Sequence, residues 1–176
     1  MISNVTSKLQ ARKELKAILG GLSEAYIENE SAKICQHFFD EVYQPHHRNI
    51  SIFLSMNKEV QTLKILEQLF EMGKSRVYVP KILDFDEGEM KMVLVPSIDL
   101  LSSFPKDKWG IPDPPIDGLV EEEEEEMDLV LVPGLGFSEE GKGRLGRGKG
   151  FYDSFLSSSS SSLMDEPPRK RPTFRN

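Results

Sequence analysis

Seven glycines fall between Asp128 and Leu156, in the run DLVLVPGLGFSEEGKGRLGRGKGFYDSFL, with Arg144, Arg147 and Lys149 spaced among them. Glycine has no Cβ and reaches positive φ cheaply, so such a loop can turn several backbone N–H groups onto one anion. The three cations supply opposing charge, and the ligand this chemistry suits is a phosphate. Asp153 follows the last glycine by three residues and could hold Mg²⁺ against bound phosphates. The competing reading of Asp153 is a helix-start carboxylate, favourable against the helix dipole.

Gly143 to Lys149 satisfies the first seven positions of G-x-x-x-x-G-K, but Gly150 stands where a P-loop needs Ser or Thr for Mg²⁺. A long loop also separates the preceding strand from the match. A P-loop is therefore disfavoured, and phosphate binding by another kind of Gly/Lys/Arg loop is expected. The bland alternative is a solvated loop with incidental cations; an RGG-type RNA contact lacks repeats. Phe151 and Tyr152 read as packing residues by type alone. Lys8 and Arg12, at i and i+4 of a helix, either clamp a polyphosphate or form a solvated face. His37, His46 and His47 have no metal-ligand spacing with Cys35, and no Gly-x-Ser-x-Gly nucleophile elbow occurs.

Elements must bring these groups together, and 176 residues suffice for one domain with a sizeable core. An apolar fraction of 38% and a net charge of −7 suit a soluble globular chain. The acidity counts against nonspecific nucleic-acid binding. Glu121 to Glu126 supply nearly all of the excess charge and read as a solvated linker. One cysteine, Cys35, excludes an internal disulfide and fits a reducing compartment. No apolar run is long enough to span a bilayer, so no membrane partner is expected. The first thirteen residues are basic and acid-free, which leaves an organellar transit peptide open; the cytoplasm is the default.

Helical spacing of Leu9, Leu15, Ile18 and Leu19 predicts a first helix from Lys8 to Gly20. Ser23 caps a second, with a stripe of Tyr26, Ile27, Ile34, Phe38, Phe39 and Val42, ending near Pro45. Ile50 to Leu54 is the first strand, and Lys58 to Met72 a third helix stopped by Gly73. Strands follow at Arg76 to Ile82 and Glu89 to Val95, joined by an Asp86-Glu87-Gly88 turn. Pro96 to Gly118 is a long loop with the single tryptophan, Trp109, and Asp128 to Val132 is the next strand. The alternation implies an α/β layered domain. After Leu156, six serines and LMDEPPRKRPTFRN have no period; residues 1–156 are expected to be the domain and 157–176 a disordered tail.

PGLGF (Pro133 to Phe137) and RLGRGKGFYD (Arg144 to Asp153) closely resemble the 5-formyltetrahydrofolate cyclo-ligase (methenyltetrahydrofolate synthetase) family. Three further elements resemble it in order: Lys8 with Arg12, ISIFLSMNKE from Ile50 to Glu59, and W-x-I-P from Trp109 to Pro112. The resemblance implies a three-layer α-β-α open sheet and a monomer that uses ATP and Mg²⁺ to convert 5-formyltetrahydrofolate to 5,10-methenyltetrahydrofolate. Lys8, Arg12, Arg144, Gly146, Gly148, Lys149, Gly150 and Tyr152 would then bind ATP. Leu54, Glu59, Trp109, Arg147, Gly148, Lys149, Gly150 and Phe151 would contact the folate. Lys149 and Arg147 would act at the reacting centre, and Asp153 would ligate Mg²⁺.

Two departures accompany the resemblance. Phe151 stands where the family commonly has tyrosine. The motifs cease after Leu156, so the family's last strand and second acidic Mg²⁺ ligand are expected to be missing. The rival reading is a truncated, non-catalytic chain that retains at most nucleotide or partner binding.

Overall fold

The computed structural model of the chain describes residues 2–115, 126–141 and 143–162. A four-stranded mixed sheet in the order β3-β2-β1-β4 is its centre. The central strand β1 (Asn49–Ile52) pairs in parallel with β2 (Arg76–Asp84), Ile50 opposite Val77, and with β4 (Leu129–Leu131), Ile50 opposite Leu129. β3 (Glu89–Val95) closes an antiparallel hairpin onto β2 through the predicted Asp86–Gly88 turn, where Gly88 has φ +74°. β1 is covered on both faces, as parallel strands are: Ile50, Ser51 and Ile52 are fully buried. Among the described residues β4 pairs with β1 alone.

Helices flank this sheet. α1 (Ile2–Gly20) and α2 (Glu24–His37) are joined at Ser23, whose Oγ accepts the Tyr26 N–H at 3.2 Å in the predicted cap. A π-helical turn, Phe38–Val42, carries α2 toward Pro45, and the Phe38, Phe39 and Tyr43 rings pack together there. α3 (Leu63–Met72) buries Ile65, Leu66 and Leu69 in the core with Val77, Val79 and Val95. Gly73 ends it at φ +58°, the left-handed stop expected of that glycine.

Four stretches differ from the sequence reading. α3 starts at Leu63, because Ser55 and Thr62 bind the preceding backbone: Ser55 Oγ donates to Val60 O at 2.7 Å and Thr62 Oγ1 to Phe53 O at 2.7 Å. The apolar period therefore reaches back through residues that are a loop. Inside the proline-rich stretch, a short helix α4 (Ile98–Ser103) is capped by Ser97 and buries Leu101. On α1, Leu9 is 67% and Ile18 62% exposed, so the stripe is narrower than its spacing suggested. The glycine loop contains a small hairpin, β5 (Gly136–Phe137) with β6 (Arg144–Leu145), and then α5 (Phe151–Ser162). α5 runs past Leu156 into the serines, where composition predicted the end of regular structure. Ser157 and Ser158 hydroxyls donate to the i−4 carbonyls of Asp153 at 2.7 Å and Ser154 at 3.1 Å, a back-bond compatible with helical backbone. The rest of the expected tail, residues 163–176, and the glutamates 121–125 lie outside the described residues.

Candidate functional site

The chain leaves β1 toward β2 on one side, while β4 lies on the other. In open α/β sheets such a reversal opens a crevice at the carboxyl ends of the strands, where ligands bind. Two of the singled-out segments start there: the loop after β1, with Leu54 and Glu59, and the glycine loop after β4.

Arg147 joins them. Its Nε donates to Glu59 Oε1 at 2.9 Å and its Nη2 lies 2.8 Å from the same oxygen. Glu59 Oε2 accepts the Met56 N–H at 3.0 Å, so both carboxylate oxygens are held, and the side chain is only 10% exposed. Lys58, just before it, has φ +64° and donates from Nζ to Leu22 O at 2.7 Å. That bond ties the Glu59 loop to the α1–α2 corner.

α1 enters through Arg12, whose Nε donates to Gly146 O at 2.9 Å. Gly148 has φ +113°, and a Cβ there would lie 3.6 Å from the Arg12 guanidinium. That distance is ordinary contact, so it is the left-handed backbone at 148, and not the approach of Arg12, that favours glycine there. Arg144 is a brace: Nη1 donates to Pro133 O at 3.0 Å, and Nη2 is hydrogen-bonded to Asp153 Oδ1. A Cβ on Gly146 would fall 2.8 Å from Arg144 Nη1, so that glycine makes room for the brace. Lys149 Nζ lies 3.3 Å from Asp86 Oδ1 and 4.4 Å from the centre of the Phe85 ring. Phe85 stacks on Trp109 at 5.7 Å and tilts against Phe151 at 5.8 Å. Lys108 Nζ stands 4.2 Å over the Trp109 ring.

At the start of α5, the Tyr152 hydroxyl is buried with no hydrogen-bond partner among the described residues. Burial chiefly pushes its pKa up; the Glu59 carboxylate adds to this and Arg144 opposes it. The phenol is therefore a donor held protonated, facing the Glu59 and Arg144 charges.

Of the singled-out residues, Arg12, Glu59, Arg144, Gly146, Arg147, Gly148, Lys149, Phe151, Tyr152 and Asp153 share one connected network. Trp109 joins it through Phe85. Gly150, at φ +82°, starts α5 by accepting the Ser154 N–H at 2.9 Å. Leu54 packs against the core beside the same crevice. Lys8 is exposed one turn before Arg12. The Walker-like spacing does not build a P-loop: its middle residues, Arg144 and Leu145, are the strand β6. Asp153 is paired with Arg144 and 75% exposed, and no group of three metal-type side chains exists among the described residues. Phe85, Asp86 and Lys108 were not singled out. A DFDEG turn carries no chemical signal in sequence, and only the fold sets it against the glycine loop.

The fold and loop define an α/β protein with an open mixed sheet and a cationic, glycine-rich loop at its switch point, chemistry that suits an anionic ligand. Comparison with known proteins narrows the class. The profile of the 5-formyltetrahydrofolate cyclo-ligase family matches residues 4–173. The mouse 5-formyltetrahydrofolate cyclo-ligase is 37% identical over 154 residues, covering 86% of this chain and 74% of the mouse protein. The probable 5-formyltetrahydrofolate cyclo-ligase of Caenorhabditis elegans is 30% identical over 167 residues, 93% of this chain and 79% of its own. The fold is shared with the 5,10-methenyltetrahydrofolate synthetase of Aquifex aeolicus, at a TM-score of 0.66 and 24% identity over 85% of this chain and 72% of that one. The chain belongs to the 5-formyltetrahydrofolate cyclo-ligase family, a family of enzymes. The match runs to residue 173, beyond the Leu156 at which the recognisable motifs cease, which corrects the expectation that likeness ends there. With relatives of that name aligned along most of the chain, the truncated, non-catalytic reading is not favoured. Among the described residues no helix is long and apolar enough to cross a membrane.

Proposed function

We propose that this chain is an ATP- and Mg²⁺-dependent ligase that converts 5-formyltetrahydrofolate to 5,10-methenyltetrahydrofolate. The observation that carries the proposal is that one glycine loop, after β4, takes Arg12 of α1 on Gly146 and sets Arg147 on Glu59 of the loop after β1, with Lys149 beside Asp86. A formamide oxygen is a poor leaving group, so the folate N10 needs it activated. The formyl oxygen attacks the γ-phosphorus of ATP and ADP departs. N10 then attacks the iminium-like carbon, phosphate leaves with the C–O electron pair, and the N10 proton is lost. Such phosphoryl transfer is chiefly positioning and charge neutralisation.

The residues fit these tasks without a nucleophilic side chain. Arg12 and Lys149, with Lys8 and Arg144, neutralise the polyphosphate, and Gly146, Gly148 and Gly150 let the backbone and the first amides of α5 approach it. Arg147, oriented by Glu59, faces the transferring group and the folate, which Leu54, Trp109 and Phe151 flank. The exposed carboxylate of Asp153 beside this loop suits Mg²⁺, which takes one or two protein carboxylates plus nucleotide phosphates. When bound, the ion would neutralise charge on the phosphates. Arg144 must then exchange Asp153 for phosphate. The buried, unpaired thiol of Cys35 suits the reducing cytoplasm, and we take the monomer as the working unit.

The test is direct. The purified chain, given 5-formyltetrahydrofolate and Mg·ATP, should form the methenyl product, followed by its near-ultraviolet absorbance. A folded chain that forms none removes the proposal.

A further inference from the structure

The turn that presents Glu59 to Arg147 carries a backbone cost. It runs from Met56 to Glu59 and closes with the Glu59 N–H on Met56 O at 3.2 Å. Its third residue, Lys58, stands at φ +64°, the one non-glycine at positive φ among the described residues. Turns of that shape ordinarily place glycine or asparagine there, because a Cβ disfavours the left-handed region.

The Lys58 side chain offsets this cost. Its Nζ donates to Leu22 O at 2.7 Å, across 36 positions of sequence. Leu22 lies just past the end of α1, where an ammonium is favoured by the helix dipole, and a charged donor makes the bond stronger than a neutral one would. The tie also acts where the loop needs it. After Glu59 the backbone is pinned, with Ser55 Oγ donating to Val60 O at 2.7 Å and the Gln61 N–H to Ser31 Oγ of α2 at 2.8 Å. Before Glu59 the turn bonds to itself, through Glu59 N–H to Met56 O and Met56 N–H to Glu59 Oε2. Among the described residues, Lys58 is the member of the turn that fastens it to the helices. A ring results: Lys58 joins the turn to the end of α1, Arg12 joins α1 to Gly146, and Arg147 joins the glycine loop back to Glu59. Release of Lys58 lets its φ return to the negative range, which rotates the peptide before Glu59 and moves that carboxylate off Arg147.

We infer that Lys58 is a positioning residue for the folate side of the site: its bond to Leu22 holds a left-handed turn that sets Glu59, and through it Arg147, against the substrate. The inference rests on the reading above in which Arg147, oriented by Glu59, faces the folate; Lys58 itself touches no substrate in it. A left-handed residue other than glycine is disfavoured by about tenfold or more against its relaxed form. Without the tie the competent turn becomes the minor state, and apparent affinity falls by the same factor.

Calorimetric titration of the full chain with 5-formyltetrahydrofolate, without ATP so that no turnover occurs, tests it on wild type, Lys58→Met and Lys58→Gly. Methionine keeps the Cβ and the stem but cannot make the bond. Glycine loses the same bond yet accepts φ +64° at little steric cost. Lys58→Met should weaken binding about tenfold, and Lys58→Gly should stay within about twofold of wild type. A merely structural tie would be lost equally in both, so equal losses overturn the inference, as does wild-type binding by Lys58→Met. In a Glu59→Gln background Lys58→Met should cost less than about twofold more; a full tenfold loss there overturns the route through Glu59. If Lys58→Met does not fold, Lys58→Ala takes its place with the same expectation, since it too keeps the Cβ and loses the bond. Folded wild type that does not bind 5-formyltetrahydrofolate overturns the folate reading itself, and the role of Lys58 with it.

Discussion

Replacing Tyr152 by phenylalanine removes one oxygen from a place where it has no hydrogen-bond partner among the described residues. An unpaired buried hydroxyl costs about 1–3 kcal/mol by protein mutational measures, and phenylalanine fills the same space without it. Taking the low end, because the phenol lies close to charged groups, Tyr152→Phe should stabilise the ligand-free chain by about 1 kcal/mol. For a domain of this size that raises Tm by about 2–4 °C. The pH dependence follows from the raised pKa of the phenol. Below about pH 10 the phenol is protonated in both folded and unfolded chains and adds no slope. Above it the unfolded tyrosine ionises while the folded one keeps its proton. The unfolded state then binds fewer protons, and stability falls as pH rises. Tyr152→Phe should remove that part of the alkaline loss. Thermal unfolding followed by circular dichroism, from neutral to alkaline pH, measures both effects. A lower Tm for the variant at neutral pH would refute the reasoning, since it would mean the hydroxyl makes a bond worth more than its burial costs. Retention of so costly a phenol is expected to serve ligand binding, so the variant should be more stable and a poorer enzyme.

Other substitutions separate structural from chemical roles. Glu59→Gln keeps an acceptor for the Met56 amide but weakens the hold on Arg147; with Arg147 39% exposed the loss should be about 1 kcal/mol. It should appear as a Tm lower by about 2–4 °C and a raised folate KM; no change in either would show that the pair positions nothing. Lys149→Ala breaks an ion pair whose members are 43% and 91% exposed, so Tm should move by less than about 0.5 kcal/mol equivalent, while turnover is abolished. Retained turnover removes the phosphate role of that lysine. Gly148→Ala forces a side chain to φ +113° and should cost about 1–3 kcal/mol, with a weaker grip on ATP; an unchanged Tm would argue against a left-handed backbone at 148.

What could be read without coordinates was whatever is written locally. Ser23 as a cap, Gly73 as a left-handed stop and the Asp86–Gly88 turn are each decided within a few residues, by side-chain bonds or by φ. The strands at Ile50, Arg76, Glu89 and Leu129 are dense apolar runs with one plausible state. The start of α3 was hidden because hydroxyls of Ser55 and Thr62 outcompeted an apolar period, and α5 continues into serines whose composition carries no helical period.

The sequence by itself determined the chemistry available: a glycine-rich loop with cations at 144, 147 and 149, an acid at 153, and a helix with Lys8 and Arg12 on one face. These are properties of residue type and spacing, and they survive in any conformation. Tertiary structure decided which charge faces which. Arg147 meets Glu59 across 88 positions and Arg12 meets Gly146 across 134, because β1 and β4 lie side by side and end together. Three like-looking cations are thereby divided into a brace on Pro133 and Asp153, a partner for Glu59, and a side chain shared with Asp86 and Phe85. Spacing along a chain carries no such information, since contact between distant residues is set by strand order and packing.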